Sequence, residues 1–418
     1  MDERLTIDRL GARADGVADT GSGAVHVPYA LPGETVRAAR DESGLRARLL
    51  HIETAAADRV APFCPYFGIC GGCATQHIAQ ASYAAWKRDI VVQTLLRAGF
   101  DAPVGPLIDA HGRGRRRITL HARFDGGTRV GYMAARSHEL VEIAFCPIAE
   151  PELKESPRMA AALAERLRTS GKPLDIQITS TETGLDIDIR GHGPVSERLR
   201  QALVATAIDL DLARLSVHGD ILIEQRAPLV TMGRAQVSPP PGGFLQATRA
   251  GEEILAWIVA ESCGSARRVL DLFAGCGPFS LRLAERSEVH AIDGDRGSLA
   301  ALDKAARAST GLRPITTETR DLFRRPLLGP ELARFDAVVF DPPRAGAQTQ
   351  AIQLARAKIP LAIGVSCDVG TFGRDAMILA EGGYRLARVW PVDQFKFSPH
   401  VEIVGLFRRD KARTRRRS

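Results

Sequence analysis

The sequence predicts a multi-domain chain that ends in a doubly wound α/β domain, and three observations carry this. From residue 244 onward, short apolar strands alternate with helical stretches, beginning "RRVLDLFA", "PFSLRLAERS", "VHAID", the pattern of a parallel sheet with crossover helices. Before residue 57, short runs alternating apolar and polar residues are separated by glycine turns. A chain of 418 residues is too long for one hydrophobic core and suits two or three domains.

Residues 1–56 include "RLTIDRLG", "GVADTGSGAVHVPYALPGETVRAAR" and "LRARLLHIE". So many short strands in a small segment predict an OB-like β-barrel, a frequent nucleic-acid platform. Next, "FCPYFGICGGC" places Cys64, Cys70 and Cys73 together in a chain with 7 cysteines. An odd total with one cluster fits a reducing compartment, where grouped thiols bind metal or do chemistry. "FCPIAEPEL" offers Cys146 as the fourth ligand. Four thiolates suit zinc or an iron–sulfur cluster by count. Two close C-x-x-C pairs would favour a zinc knuckle; the five-residue gap, the CGGC step and one distant cysteine favour iron–sulfur, with zinc the alternative.

"SYAAWKRDIVVQTLLRAGF" has apolar residues at helical spacing and stops at Gly99. Residues 115–240 mix strands ("RRITLHARF", "LDIQITS", "GLDIDIRG") with the helical "PRMAAALAERLRTSG", an α+β insert. "SPPPGG" (238–243) is a breaker-rich linker. The expected division is therefore 1–56, a barrel; 57–240, a central α+β domain with the four cysteines; and 241–418, the α/β domain. Its last two strands, joined by a short loop without a helix, are expected to pair antiparallel.

The formal charge is +7, with dense basic runs at 111–117 and 408–418, which suit a polyanion or else a solvated face. The N-terminus is acidic rather than apolar, and no apolar run approaches a bilayer's thickness. A cytoplasmic protein with no membrane partner is expected.

"VLDLFAGCGPFS" reads as strand, glycine turn and helix start. After Gly275 and Gly277 the third glycine position of a dinucleotide fingerprint is Ser280, a loss tolerated by a ligand without phosphate, such as S-adenosylmethionine. Asp293, ending the next strand, suits the ribose hydroxyls, and Asp321 the adenine amine. Asp341 ends the fourth strand and Cys367 follows the fifth, both on the edge where open sheets bind ligands. An antiparallel last strand begins on that edge, bringing Glu402 to the same rim. A thiol, a carboxylate base and a methyl-donor pocket suit methylation of uracil carbon 5. Thiolate addition at carbon 6 activates carbon 5, and a base then removes its proton. The helix after Cys367 is expected to lower the thiol's pKa.

At these residues the chain resembles the TRAM-containing RNA uracil-C5 methyltransferases of bacteria, whose members act on 23S ribosomal RNA. "GVADTGSGAVHVPYALPGETV" resembles the TRAM barrel, and "CPYFGICGGCATQH" with Cys146 the family's four-cysteine [4Fe-4S] site. "GGFLQATRAGEEIL", "SCDVGTFGRDA" and Glu402 resemble the donor, nucleophile and base motifs. The resemblance implies donor contacts from Gln246, Phe273, Asp293 and Asp341, catalysis by Cys367 and Glu402, and RNA, most readily ribosomal, as the substrate of a monomer. A flipped uridine is expected to stack on Phe395 or Phe397. Departures from the family pattern are Asp368 and Val369 after the nucleophile, Lys396 and Phe397 before the base, and Pro278 after the glycine turn. Asp368 is expected to raise the Cys367 pKa unless it turns away. Two rivals remain: an exocyclic-amine methyltransferase, which needs no cysteine, and an RNA-binding protein without turnover.

Overall fold

The computed structural model describes residues 2–409. Residues 410–418 of the basic C-terminal run lie outside the described residues.

The C-terminal half is built on an eight-stranded sheet. Its strand order is Ile315–Thr319, Glu288–Asp293, Arg268–Leu272, Ala337–Phe340, Leu361–Ser366, Glu402–Arg409, Tyr384–Asp393, Ile108–Asp109. The first five run parallel. Their central members, such as Ala337–Phe340, are buried throughout, as strands covered on both faces must be. Leu270, Leu272 and Val338 face one core, and the alternate residues Val269, Ala337 and Val339 face the other. Glu402–Arg409 is antiparallel to both neighbours, with Ser366 opposite Ile403 and Val392 opposite Glu402. The start of that strand therefore lies at the carboxyl edge of the parallel strands.

A seven-stranded, mainly antiparallel sheet forms the central part, in the order Leu140–Glu142, Arg129–Met133, Arg117–Arg123, Leu174–Thr181, Gly184–Arg190, Arg214–Val217, Asp220–Glu224. Helices Ser156–Leu167 and Glu197–Asp209 contribute Leu163 and Leu203 to its core. The N-terminal segment holds two three-stranded sheets. Leu5, Val25, Val27, Val36 and Ala47 from both share one core. Among the described residues no helix is long and apolar enough to cross a membrane.

The expected 57–240 unit loses both its ends to the C-terminal half. Helix Gln80–Arg97 buries Val91 and Leu95 in the core of the eight-stranded sheet, and Ile108–Asp109 pairs with Val392 and Asp393. The hairpin Val230–Met232/Ala235–Val237 packs on helix Arg296–Ala308. An amphipathic pattern says that a face is buried, not against what.

The basic run 111–117 is divided: Arg116 is wired into the interior, while Arg113 stays largely exposed and Arg115 and Arg117 are half-buried. Arg116 is 1% exposed, paired with Glu252 (2.5 Å) and donating to the Gln246 carbonyl (2.9 Å). Arg113 pairs with Glu152. Arg117 lies against the face of Phe244, 5.1 Å from its ring centre.

Candidate active site and cysteine cavity

At the carboxyl edge of the parallel strands opens a cavity of about 770 Å³. Gln246, Phe273, Gly275, Asp293, Asp321, Asp341, Cys367 and Glu402 all line it. The structure thus brings together every donor-site and catalytic residue expected from the sequence.

The donor end follows from the glycine turn. Gly275 has φ 53° and its N–H donates to Asp293 Oδ2 (2.8 Å), while Asp293 Oδ1 accepts from the Asp295 N–H (2.7 Å). Each carboxylate oxygen keeps a lone pair for a further donor. At Gly277, with φ 88°, a Cβ would lie 2.4 Å from Leu302 Cδ1, so a side chain there would strain the turn and push against helix Arg296–Ala308. Ser280, at the third glycine position, donates its hydroxyl to the buried Asp271 (2.6 Å). Asp321 holds the Phe323 and Arg324 N–H groups. Phe273 packs 5.5 Å from Phe323, ring centre to ring centre.

The reactive end joins three elements. Cys367 follows strand Leu361–Ser366 and precedes helix Val369–Glu381, whose N-cap is Asp368. The Asp368 carboxylate accepts from the Thr371 N–H (2.8 Å). It turns away from the thiol to do what an asparagine would also do there. The expected lowering of the thiol pKa does not occur. Burial first, then Glu402 and Asp341, push Cys367 up to about 11, against Arg344. Burial likewise raises Glu402 to about 7, and burial together with Glu402 raises Asp341. Two buried carboxyls so close resist ionising together. Cys367 also lines a second, open groove with Arg97, Arg374 and His400, so its residue stands between the donor cavity and the outside.

One residue was not foreseen. Gln394 is 0% exposed, and its Nε2 donates to Glu402 Oε2 (2.7 Å) and Gln246 Oε1 (2.7 Å). Gln246 in turn donates to Asp341 Oδ2 (3.1 Å). The only sequence signal was a polar residue directly after a long, largely buried strand. Below it, Asp393 is paired with Lys87 and accepts from the Tyr83 hydroxyl (2.7 Å), whose oxygen accepts from the Phe397 N–H (2.9 Å). Of the two candidate stacking rings, Phe395 lines the cavity, whereas Phe397 packs on Phe63 (5.4 Å) and Tyr83 (6.0 Å). Phe244, 64% exposed, stands at the rim.

Cys64, Cys70, Cys73 and Cys146 come together around a second cavity of about 360 Å³. All four are free thiols. Burial raises Cys70, Cys146 and, to about 12, Cys73. Gln76 and Arg115 line the same cavity, and Gln76 Nε2 and Arg115 Nε are buried without partners. Among the described residues, no three His, Cys, Asp or Glu side chains form a group that could hold a single metal ion.

Residues 199–410 match the family described as tRNA (Uracil-5-)-methyltransferase. An RNA methyltransferase of Brucella suis is 44% identical over 404 residues, 96% of this chain and 97% of its own. The chain belongs to the RNA (uracil-5-)-methyltransferase family. The enzyme transfers a methyl group from S-adenosylmethionine to RNA. It is 32% identical to the 23S rRNA (uracil(1939)-C(5))-methyltransferase RlmD of Aeromonas hydrophila, covering 97% of this chain and 96% of that one. Its fold matches that of the Pyrococcus abyssi tRNA (uracil-54, C5)-methyltransferase, solved with S-adenosyl-L-homocysteine, with TM-score 0.72 and 21% identity, covering 97% of this chain and 100% of that one. The enzyme's own cavity suits the donor. It carries free carboxylate acceptors at the glycine turn for hydroxyls and amines, and it has size for a nucleoside with a side chain.

Proposed function

We propose that the enzyme methylates carbon 5 of a uridine in ribosomal RNA through a covalent bond between Cys367 and carbon 6, with Glu402 removing the carbon 5 proton. The observation that carries this is the shared cavity: the thiol, the buried carboxyl and the donor-site residues line one space. Ribosomal RNA is favoured over transfer RNA by the RlmD relative, which is the more similar in sequence of the two whose RNA is named.

The uracil ring enters from the groove side of Cys367 and stacks near Phe244 or Phe395, where an aromatic face on a desolvated base contributes about 1–3 kcal/mol. Cys367 releases its thiol proton to solvent in the open groove and adds to carbon 6 as the thiolate, and the carbon 5–carbon 6 π pair becomes an enolate. When bound, S-adenosylmethionine supplies a methyl group on a positively charged sulfur, whose charge offsets Asp341 and Glu402 and eases ionisation of the thiol. Carbon 5 takes the methyl group. Glu402 then accepts the carbon 5 proton, the ring double bond reforms, and the sulfur–carbon 6 pair returns to Cys367. Burial suits Glu402 to this role, since a carboxyl raised to about 7 is a stronger base than an exposed one.

Residues 2–54 act as a TRAM barrel that grips RNA, and the central sheet carries the cysteine site. Cys64, Cys70, Cys73 and Cys146 would hold a [4Fe-4S] cluster. What supports a cluster over zinc is a cavity larger than an ion between the four cysteines, lined also by Gln76 and Arg115, whose side-chain N–H groups sulfide acceptors would satisfy. The cluster acts as a structural cross-link, because methyl transfer moves no net electrons. The enzyme works as a cytoplasmic monomer.

The test is an adduct with RNA containing 5-fluorouridine, whose fluorine cannot leave as a proton. A complex surviving a denaturing gel and lost in Cys367→Ala is expected. No adduct, with methyl transfer intact, favours an exocyclic-amine target. No methyl transfer at all, with RNA binding intact, favours a binding protein. Mapping 5-methyluridine in RNA from wild-type and deletion cells then identifies the substrate.

A further inference from the structure

We propose that Gln394 is a positioning residue for this reaction, fixing which oxygen of Glu402 takes the carbon 5 proton and tying that base to the donor site. The proposal rests on the reading of Cys367 as nucleophile and Glu402 as base.

The orientation of the amide is decided by one backbone group. The Ala247 N–H donates to Gln394 Oε1 (2.9 Å). A flipped amide would set its NH2 against that N–H, donor against donor. The NH2 must therefore face the other way, where it meets Glu402 Oε2 and Gln246 Oε1, both at 2.7 Å. With its oxygen thus occupied, Gln246 turns its own NH2 to Asp341 Oδ2 (3.1 Å). Donation runs one way, from the backbone of residue 247 through two amides to Glu402 and Asp341.

This direction constrains the chemistry. Glu402 Oε2 already accepts from Gln394, and a proton placed on the line to Gln394 would face the amide hydrogen. Oε1 has no hydrogen-bond partner among the described residues and is not among the sealed, unpartnered atoms, so it is the oxygen open to the cavity. In the last step the carbon 5–hydrogen pair reforms the ring double bond. The sulfur–carbon 6 bond breaks with its electrons returning to Cys367 Sγ, and the proton goes to Glu402 Oε1.

The neighbouring backbone is shaped to admit this side chain. Gly251 lies in the first turn of helix Arg249–Cys263. A Cβ there would stand 2.8 Å from both Gln394 Cβ and Gln394 Oε1. Neither atom is the free end of a flexible chain, since the amide is held on both sides.

The test uses the full enzyme with Gln394→Met, close in volume and without donors, and with Gly251→Ala, which displaces the amide without removing it. With ordinary uridine RNA under single-turnover conditions, both variants should accumulate the methylated Cys367–RNA adduct on denaturing gels. Elimination should slow by about 10²-fold, the size of a misplaced general base, with KM for RNA little changed. A merely structural role would lower the unfolding midpoint and deplete all species alike, without adduct. The proposal is overturned if both variants form the 5-fluorouridine adduct at the wild-type rate yet turn over ordinary RNA as fast as wild type with no trapped adduct. Absence of the fluorouridine adduct in the wild-type enzyme would instead remove the nucleophile reading itself, and this proposal with it.

Discussion

Replacing Lys87 with methionine should destabilise the catalytic half by about 3–5 kcal/mol, the cost of leaving a buried charge without its partner. Lys87 and Asp393 side chains are 0% and 2% exposed and pair with each other. Lys87 Nζ also donates to the Phe395 carbonyl (3.0 Å). Burial draws Lys87 down to about 8 although Asp393 opposes it, so the intact pair is near break-even and its worth appears only when one member is removed. Methionine fills the space but leaves the Asp393 carboxylate with the Tyr83 hydroxyl alone. The double variant Lys87→Met/Asp393→Leu removes both charges and should recover about 2 kcal/mol of the loss. Urea unfolding followed by tryptophan fluorescence reads this out. Trp86, Trp257 and Trp390 are the 3 tryptophans, and all lie on helices or a strand packed in the catalytic half. A loss under about 1 kcal/mol in Lys87→Met, or a double variant worse than the single, would refute the assignment of a costly buried charge.

The contribution of the buried acids Asp271 and Glu402 to stability should fall as pH rises from about 4 to above 7. Burial raises Asp271 and Glu402 to about 7, well above the ordinary carboxyl range, so folding holds their protons in that window and the stabilisation is lost as pH climbs through the folded pKa. In urea unfolding, Asp271→Asn should gain stability relative to the unaltered enzyme as pH rises from 6 to 8. Asp368→Asn should keep both fold and turnover, whereas Asp368→Ala should cost about 1 kcal/mol through loss of the helix cap. Protein purified without oxygen should be brown, hold four irons per cysteine site and lose them in Cys73→Ser; one zinc per chain in a colourless preparation would overturn the cluster.

The catalytic sheet was legible because each signal was local. Fully apolar runs such as "DAVVF" mark strands buried on both faces, and a short helix-free loop between the last two strands forces an antiparallel partner. From those two facts alone, Asp341, Cys367 and Glu402 had to share an edge. What was hidden depended on distant partners. Arg116 looks like part of a nucleic-acid track until Glu252, 136 positions away, takes its charge. Gln394 belongs to no spacing pattern, and its role arises from three elements meeting at one amide. Helix Gln80–Arg97 announced a buried face without its counterpart, so the domain boundaries drawn from linkers missed the interleaving. The thiol pKa was misjudged because a helix N-terminus can be read from sequence, whereas two carboxyls brought near by the fold cannot be weighed against it.

Separation along the chain between the cysteine loop and Cys367 does not mean separation in space. Arg117 lines both cavities. The Ala74 N–H, next to Cys73, donates to the Phe397 carbonyl (2.7 Å), and the Phe63 ring lies against that of Phe397. Phe397 holds φ 63°, a conformation costing a non-glycine residue about 1–3 kcal/mol and kept only where neighbours enforce it. Here the enforcement comes from two sides, the cysteine loop and the Tyr83–Asp393–Lys87 group. Between them runs the segment from Gln394 to Val401, outside helix or strand, which must nevertheless deliver Phe395 and Glu402 to one cavity and hold Gln394 behind them. A base held to a fraction of an ångström needs rigid support, and a segment without a ladder of its own can take it only from what it is tied to. On the proposed function, a group that cross-links Cys64, Cys70, Cys73 and Cys146 would stiffen that tie and so bear on methyl transfer without exchanging a proton or methyl group with the substrate.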